Sequence, residues 1–501
     1  MDLLAEIVAW LVRWGGIVVL AFFTLLVFTL IFLFVLSLFD MYRRLRQNYY
    51  SDYEVMARSR FTFPISVLIP AYNEERTIVD CVESVLNMDY PEHEVLVIND
   101  GSADGTLERL LEHFNMVRRR VVYRRSIDTE PVTAVYKSKT HPRLTVIDKD
   151  HSGKSESLNV GINISRYPLF CSIDADSIFQ ENALLRVVRP VLEDPERVVA
   201  VGGQVRVANG CVIKDGRVTE PRMPPGALAG FQVVEYLRAF VASRLGLSKL
   251  NNLLIISGVF SLFRKDVVIE VGGYKKHLTE DMELVIRIHR RMREQKRDYA
   301  AVFLPDPICW TQVPTTMKSL WSQRSRWHRG LMSCILSNKR LLFNPRYGDL
   351  AFVGMPYYFF FEMFGPVVEL LGYVLIPIAG AAGALRGAYF LLFLALAIGA
   401  GTMLSMLAVL MEELSFGLYR RWRDLGKMFL IAFLENFGYR QITLVMRLTA
   451  TVEYLRGRQE WGSHDREDFN NDVSAGGEGE CASRAHAPAS RSSVVRTKQF
   501  P

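Results

Sequence analysis

A chain of 501 residues has room for one large or two medium domains with added segments. Its net charge of +7 suits a membrane surface or a phosphate-rich ligand, and the basic runs 117–125 and 419–427 fall in no nucleic-acid motif, so no nucleic-acid partner is expected. The six cysteines, at 81, 171, 211, 309, 334 and 481, form no CxxC pair, which argues against a zinc site or a disulfide framework and for reduced thiols.

Residues 15–39 carry no charge and are long enough to cross a bilayer as a helix. The run is too long for a signal-peptide core and lacks a small-residue cleavage site, so residues 1–45 read as an uncleaved anchor. Arg43, Arg44 and Arg46 follow it, which places the N-terminus outside and the rest of the chain on the cytoplasmic side. After a linker, 46–61, strand-like runs alternate with helical ones through 62–330 ("FPISVLIPAYNEE", "RTIVDCVESVLN", "EVLVINDGSADG", "TLERLLEHF", "RLTVIDKD", "SESLNVGINI", "LFCSIDAD"). Such alternation predicts βαβ units in a mostly parallel sheet flanked by helices. Residues 331–460 turn apolar again. A spanning helix is expected from about Pro366, a second over 388–411 after a short turn, and an undecided segment over 428–450, which holds Glu435, Arg440 and Arg447. The tail, 461–501, is polar and reads as disordered.

Ligands of open α/β sheets bind beyond the carboxyl ends of the strands. Four predicted strands end there in polar clusters: Tyr72, Asn73 and Glu74; Asn99 and Asp100; Gly153 and Lys154; Asp174 and Asp176. One such cluster is usually a capped turn, whereas four in register point to a shared ligand site. Asp174 and Asp176, at i and i+2 on an extended chain, face the same side. Two buried carboxylates repel each other, and Mg²⁺ or Mn²⁺ completed by substrate phosphates relieves this. Lys154 at a loop-to-helix junction suits a phosphate. The spacing fits neither a Walker A loop nor a GxGxxG fingerprint, which argues against a dinucleotide oxidoreductase.

Further on, "HLTEDMEL" (277–284) reads locally as the acidic first turn of a helix capped by Thr279, with Glu283 a plain helix-face acid. "LWSQRSRWHRG" (320–330) places Gln323 and Trp327 on one helical face, with Arg324 and Arg326 between them. That segment reads equally as a basic helix lying on a membrane.

In order, "PAYNEE", "NDGS", "SGKSESLN", "IDADS", "SGVFSLFR", "TEDMEL" and "QRSRW" resemble the family 2 glycosyltransferases, specifically the membrane-embedded branch of cellulose, hyaluronan, chitin and poly-N-acetylglucosamine synthases. The resemblance covers about 62–330. It implies a GT-A-type α/β fold with transmembrane helices on both sides, divided into a nucleotide-sugar half (62–200) and an acceptor half (201–330). It implies that Tyr72, Glu74 and Asp100 hold the nucleoside, that Lys154 approaches the pyrophosphate or sugar, and that Asp174 and Asp176 take nucleotide and Mg²⁺ or Mn²⁺. Asp281 becomes the general base with Glu280 as its electrostatic neighbour, and Gln323, Arg324, Arg326 and Trp327 lie over the pyrophosphate and the acceptor end. Two positions depart from the pattern: Asn99 stands where many relatives have Asp, and Arg324 where Gln is common. The implied activity is inverting transfer from a nucleotide-sugar, UDP-linked by expectation, to a growing β-linked polysaccharide at the cell membrane. The alternative is a single transfer to a polyprenyl-phosphate or other lipid acceptor. The modest number of predicted spans, three firm and one doubtful, keeps this alternative open, and the partners expected include accessory export subunits.

Overall fold

The computed structural model describes residues 2–50, 53–59, 61–214, 217–381, 387–419 and 421–457. The tail expected to be disordered and the short turn expected before the second C-terminal span lie outside these residues.

The apolar runs become strands because they are covered on both faces. β1 (Ile65–Ala71) and β2 (His93–Asp100) are buried almost throughout, as strands sandwiched between helices must be. β3 (Met116–Arg118), β4 (Val132–Ser138), β5 (Leu144–Lys149), β6 (Leu169–Ile173), β7 (Ser177–Phe179) and β8 (Val198–Val207) follow. A separate two-stranded pair, β9 (Val212–Lys214) and β10 (Arg217–Glu220), precedes β11 (Phe260–Arg264) and β12 (Ala300–Thr311). The main sheet has ten strands in the order β3-β4-β5-β2-β1-β6-β11-β8-β12-β7.

The sheet is mixed, which corrects the expectation that it is mostly parallel. β1 pairs in parallel with β2 and β6, β2 with β5, and β8 with β12. The pairs β3–β4, β4–β5, β6–β11, β8–β11 and β7–β12 are antiparallel. Connection length and entry point explain this. The β4–β5 loop is too short for a crossover. β11 enters the sheet at the carboxyl edge of β6, where Asp174 N–H donates to Val259 O at 3.4 Å, and so must run backwards.

Helices Ile78–Leu86, Thr106–His113 and Lys154–Ile164 match the predicted helical runs. Among the described residues two helices are long and apolar enough to cross a membrane, Trp14–Arg44 and Ile398–Phe416. A pair bent by 43°, Leu350–Met363 with Gly365–Gly380, makes a third if counted as one span. The qualifying part of the second C-terminal helix thus lies later than the 388–411 expected. Residues 428–450 fall on two helices, Trp422–Leu434 and Tyr439–Leu455, neither of which qualifies as a span.

Charged side chains dock these flanking helices onto the sheet domain. Arg206 of β8 pairs with Glu412, both buried, and Arg238 pairs with Glu435 at 2.5 Å. Helix Met317–Ser337 lies along Tyr439–Leu455, with Ser325 Oγ donating to Glu453 at 2.7 Å and His328 3.0 Å from Thr451 Oγ1.

Candidate active site

The strand-end clusters meet at one edge of the sheet, around two turns. Asp100, the last residue of β2, accepts from the Ser152 and Gly153 amides at 3.0 and 2.8 Å and from the fully buried Lys149 ammonium at 2.5 Å. Its carboxylate thereby shapes the 150–153 turn. Gly153 has φ +102°, where a side chain would be strained, so glycine is required to swing the chain into helix Lys154–Ile164. The exposed Tyr72 ring lies 4.2 Å from that of His151, at 34°, and leaves a flat platform beyond β1. Glu74 is buried; its amide donates to Thr106 Oγ1 at 2.8 Å and its carboxylate accepts from Thr77 Oγ1 at 3.0 Å.

Lys154 is the hub. Its ammonium lies 2.5 Å from Asp174 Oδ1 and 3.3 Å from Glu280 Oε1. Burial opposes its charge, but the carboxylates of Asp174, Glu280 and Asp281 outweigh that and hold its pKa well above the usual lysine range. The same crowding acts on the acids. Burial first, then the Asp174 carboxylate, lift Asp176 to about 7. Burial raises the pKa of Glu280; Lys154 pulls it down, and Asp281 pushes it up again.

Asp281 sits in the first turn of helix Glu280–Glu294. Its Oδ2 accepts from Gly258 N–H at 3.1 Å and its Oδ1 from Met282 N–H at 2.8 Å. Thr279 occupies the N-cap position without capping: its hydroxyl turns to His277 and Cys334 instead, and the first-turn amide goes to Asp281. Gly258, within "SGVFSLFR", carries no local signal of its bond to Asp281. A methyl there would lie 3.1 Å from Lys154 Nζ and 3.7 Å from Asp281 Oδ2, so a side chain would press on both. Glu283 is a buried helix-face acid, paired with Arg287 at 2.7 Å.

The "QRSRW" segment is helical, within Met317–Ser337, and packs against the acidic turn: a methyl at Gly330 would collide with Thr279. Among the described residues Gln323 Oε1 is buried without a hydrogen-bond partner. Arg324 is not an open fork. Its Nη2 donates to Glu235 Oε2 at 2.7 Å, an oxygen shared with Tyr439 Oη at 2.7 Å, and its guanidinium lies 4.5 Å over the Trp327 ring. Arg326 is half-buried, and Trp327 is 37% exposed. Glu235 had no signal in the sequence, because its partners lie 89 and 204 positions away.

Residues 66–272 match the family model described as glycosyl transferase family 2. The chain is 29% identical over 268 residues to a poly-beta-1,6-N-acetyl-D-glucosamine synthase of Staphylococcus epidermidis, covering 53% of this chain and 54% of that protein. It is 30% identical over 273 residues to the synthase of the same name from Staphylococcus aureus (strain COL), again 53% and 54%. The chain therefore matches these curated relatives over about half of their length. A mannosyltransferase from Pyrobaculum calidifontis, solved with GDP-Man and Mn²⁺, aligns at a TM-score of 0.46 and 19% identity, over 84% of this chain and 99% of that one. Asp100, Lys154, Asp174 and Asp176 thus lie within the residues that resemble the glycosyl transferase family 2 model, and Glu280 and Asp281 follow shortly after them.

Proposed function

We propose that the chain is a membrane-embedded, inverting glycosyltransferase of GT-A type that extends a β-linked polysaccharide from a UDP-sugar, with N-acetylglucosamine as the unit added. The observation that carries this reading is the joint placement of Lys154, Asp174, Glu280 and Asp281, a cation and a base at the strand ends where a nucleotide-sugar is expected. The choice of sugar is supported by the names of the relatives.

Tyr72 gives the base a stacking face, and Glu74 and Asp100 act by holding the turns around it. Asp174 and Asp176 fit a divalent cation: burial and the neighbouring Asp174 carboxylate push Asp176 up to about 7, a charge crowding that a cation relieves, and a two-carboxylate set completed by phosphates is what Mg²⁺ commonly accepts. When bound, Mg²⁺ or Mn²⁺ supplies positive charge against the leaving diphosphate. Lys154 adds a fixed positive charge beside the carboxylates. Asp281, oriented by the two amides, takes the proton of the acceptor hydroxyl as that oxygen bonds to the anomeric carbon. The bond from that carbon to the diphosphate breaks on the opposite face, so an α-linked donor yields a β-linkage with UDP released. Gln323, Arg326 and Trp327 face the acceptor end, and Arg324 steadies Trp327 from the Glu235 side. The catalytic domain lies on the cytoplasmic side of the cell membrane with the N-terminus outside, as Arg43, Arg44 and Arg46 indicate.

The test is donor profiling on purified membranes with UDP-glucose, UDP-N-acetylglucosamine, UDP-glucuronate and GDP-mannose, followed by sizing of the labelled product. High-molecular-weight material from UDP-N-acetylglucosamine supports the proposal. An organic-soluble product carrying one sugar favours the lipid acceptor, and incorporation from none of the four refutes the activity.

A further inference from the structure

Helix Ala227–Leu237 continues as a π-helix, Arg238–Arg244. Such wide turns are rare and concentrate at functional sites. Along this segment Tyr236, Phe240 and Arg244 recur at every fourth position and stand in a row. The Tyr236 and Phe240 rings meet edge to face with centroids 5.7 Å apart, and the Arg244 guanidinium lies 4.4 Å over Phe240. At the other end Trp327 is 6.4 Å from Tyr236 and carries Arg324 on its face. One continuous file therefore runs from the "QRSRW" helix to Arg244.

Arg244 differs from the cations already described. Lys154 has Asp174 and Glu280, and Arg324 has Glu235. Among the described residues Arg244 makes no hydrogen bond or ion pair, and its Nη1 is buried without an acceptor. Burial lowers its pKa, opposed by Tyr358, Asp281, Tyr236 and Glu362. Its electrostatic surroundings thus join the base, Asp281, to Tyr358 and Glu362 of the bent apolar helix pair. A buried N–H without an acceptor calls for an oxygen from elsewhere. Phe240 is already stacked on Phe303 and covered by Arg244, whereas Tyr236 is only partly buried; a planar donor at the end of such a file suits a pyranose, whose apolar face packs on a ring while its oxygens accept.

We propose that Arg244 is an acceptor-binding residue: it donates to a hydroxyl or acyl oxygen of the sugar unit beyond the one at Trp327, with Tyr236 as the ring face between them. This rests on the polysaccharide reading above. The donor diphosphate is the other oxygen source, but the file of rings ties Arg244 to Trp327 through Phe240 and Tyr236, not to Lys154.

The experiment uses the full chain in detergent, comparing the parent with Arg244→Gln and Arg244→Lys. Calorimetry gives the affinity for UDP, and then for a tetramer of β-linked N-acetylglucosamine with UDP present. Initial rates give the KM for the tetramer. Arg244→Gln should keep UDP affinity within about twofold, weaken tetramer binding and raise its KM by about tenfold, as loss of one charged hydrogen bond does. Arg244→Lys should fall between. Lost UDP affinity with unchanged tetramer binding assigns the cation to the diphosphate and overturns the proposal. So does a Gln variant equal to the parent in both, one that loses both ligands, or a parent that binds no tetramer. The binding arm needs no turnover, so a parent that binds tetramer but builds no polymer refutes the polymerising activity and leaves Arg244 to be judged on binding.

Discussion

Among the described residues Asp281 takes its hydrogen bonds from two backbone amides, Gly258 and Met282, and these orient its carboxylate without another titrating side chain. Asp281→Asn preserves shape but cannot take a proton. Turnover should fall by about a thousandfold, within the usual range for a general base, while UDP affinity measured by calorimetry stays within about threefold. Retained turnover would remove Asp281 from the base role. Asp174 and Asp176 carry a second expectation. Chelation with EDTA should stop incorporation, and Mg²⁺ or Mn²⁺ should restore it. Asp176→Asn should raise the metal concentration for half-maximal activity by about tenfold, a typical ligand-shell loss. Activity indifferent to EDTA would exclude the metal role. Asp174 and Asp176 stand out in the sequence as an i, i+2 pair closing an apolar run, but the extended-strand geometry expected of them is not what forms: both lie in the turn between β6 and β7, because the chain reverses there into the short β7. The bond from Arg324 to Glu235 was not legible at all, because no local rule links positions 89 apart.

Helix Glu280–Glu294, whose first turn carries the proposed base, is anchored along its buried face. His289, on its buried face, lies 2.6 Å from Tyr299 Oη through Nδ1 and 2.9 Å from Leu253 O through Nε2. Those partners assign the proton to Nε2, with Nδ1 accepting from the tyrosine. Burial lowers the His289 pKa from 6.5 to about 4. The unfolded chain then binds the extra proton first, so stability is complete above pH 6.5 and is lost as pH falls toward 4. The difference amounts to roughly 3 kcal/mol at full protonation. His93, also lowered to about 4 by burial, adds to the same trend. Melting temperatures of the detergent-solubilised chain between pH 7 and 4 should decline, and His289→Gln should flatten part of the slope. An unchanged slope in the variant would contradict this account. The helix itself was readable from its apolar spacing and acidic first turn. That Thr279 would leave the cap unbonded was not, because His277 and Cys334 meet its hydroxyl only once helix Met317–Ser337 packs there.

Across the whole molecule, buried ion pairs tie the apolar helices to the sheet domain. Arg206 of β8 and Glu412 of helix Gly401–Phe416 are 2% and 1% exposed, so neither charge has water to fall back on. Arg206→Met should destabilise the chain by about 3–5 kcal/mol by leaving a buried carboxylate unpaired. The double variant Arg206→Met, Glu412→Leu should recover most of that loss, since a buried pair is often replaceable by apolar groups of similar volume. Thermal melts of parent, single and double variants check both statements. A single variant as stable as the parent would mean that the pair does not dock the helix.

The amino-acid sequence alone determined the apolar segments, the alternation of strands and helices, and the polar clusters that follow four of the strands. These depend on hydrophobic run length and on residues within a few positions of one another. Tertiary structure decided the rest. It set the direction of β11, which makes the sheet mixed and brings Gly258 to Asp281. It joined Lys154 to Glu280 across the sheet edge, and it formed the file from Arg324 to Arg244. The physical reason is one of range. Periodicity reports which face of an element is buried, whereas the partner of a buried charge is chosen by packing among elements far apart in the chain.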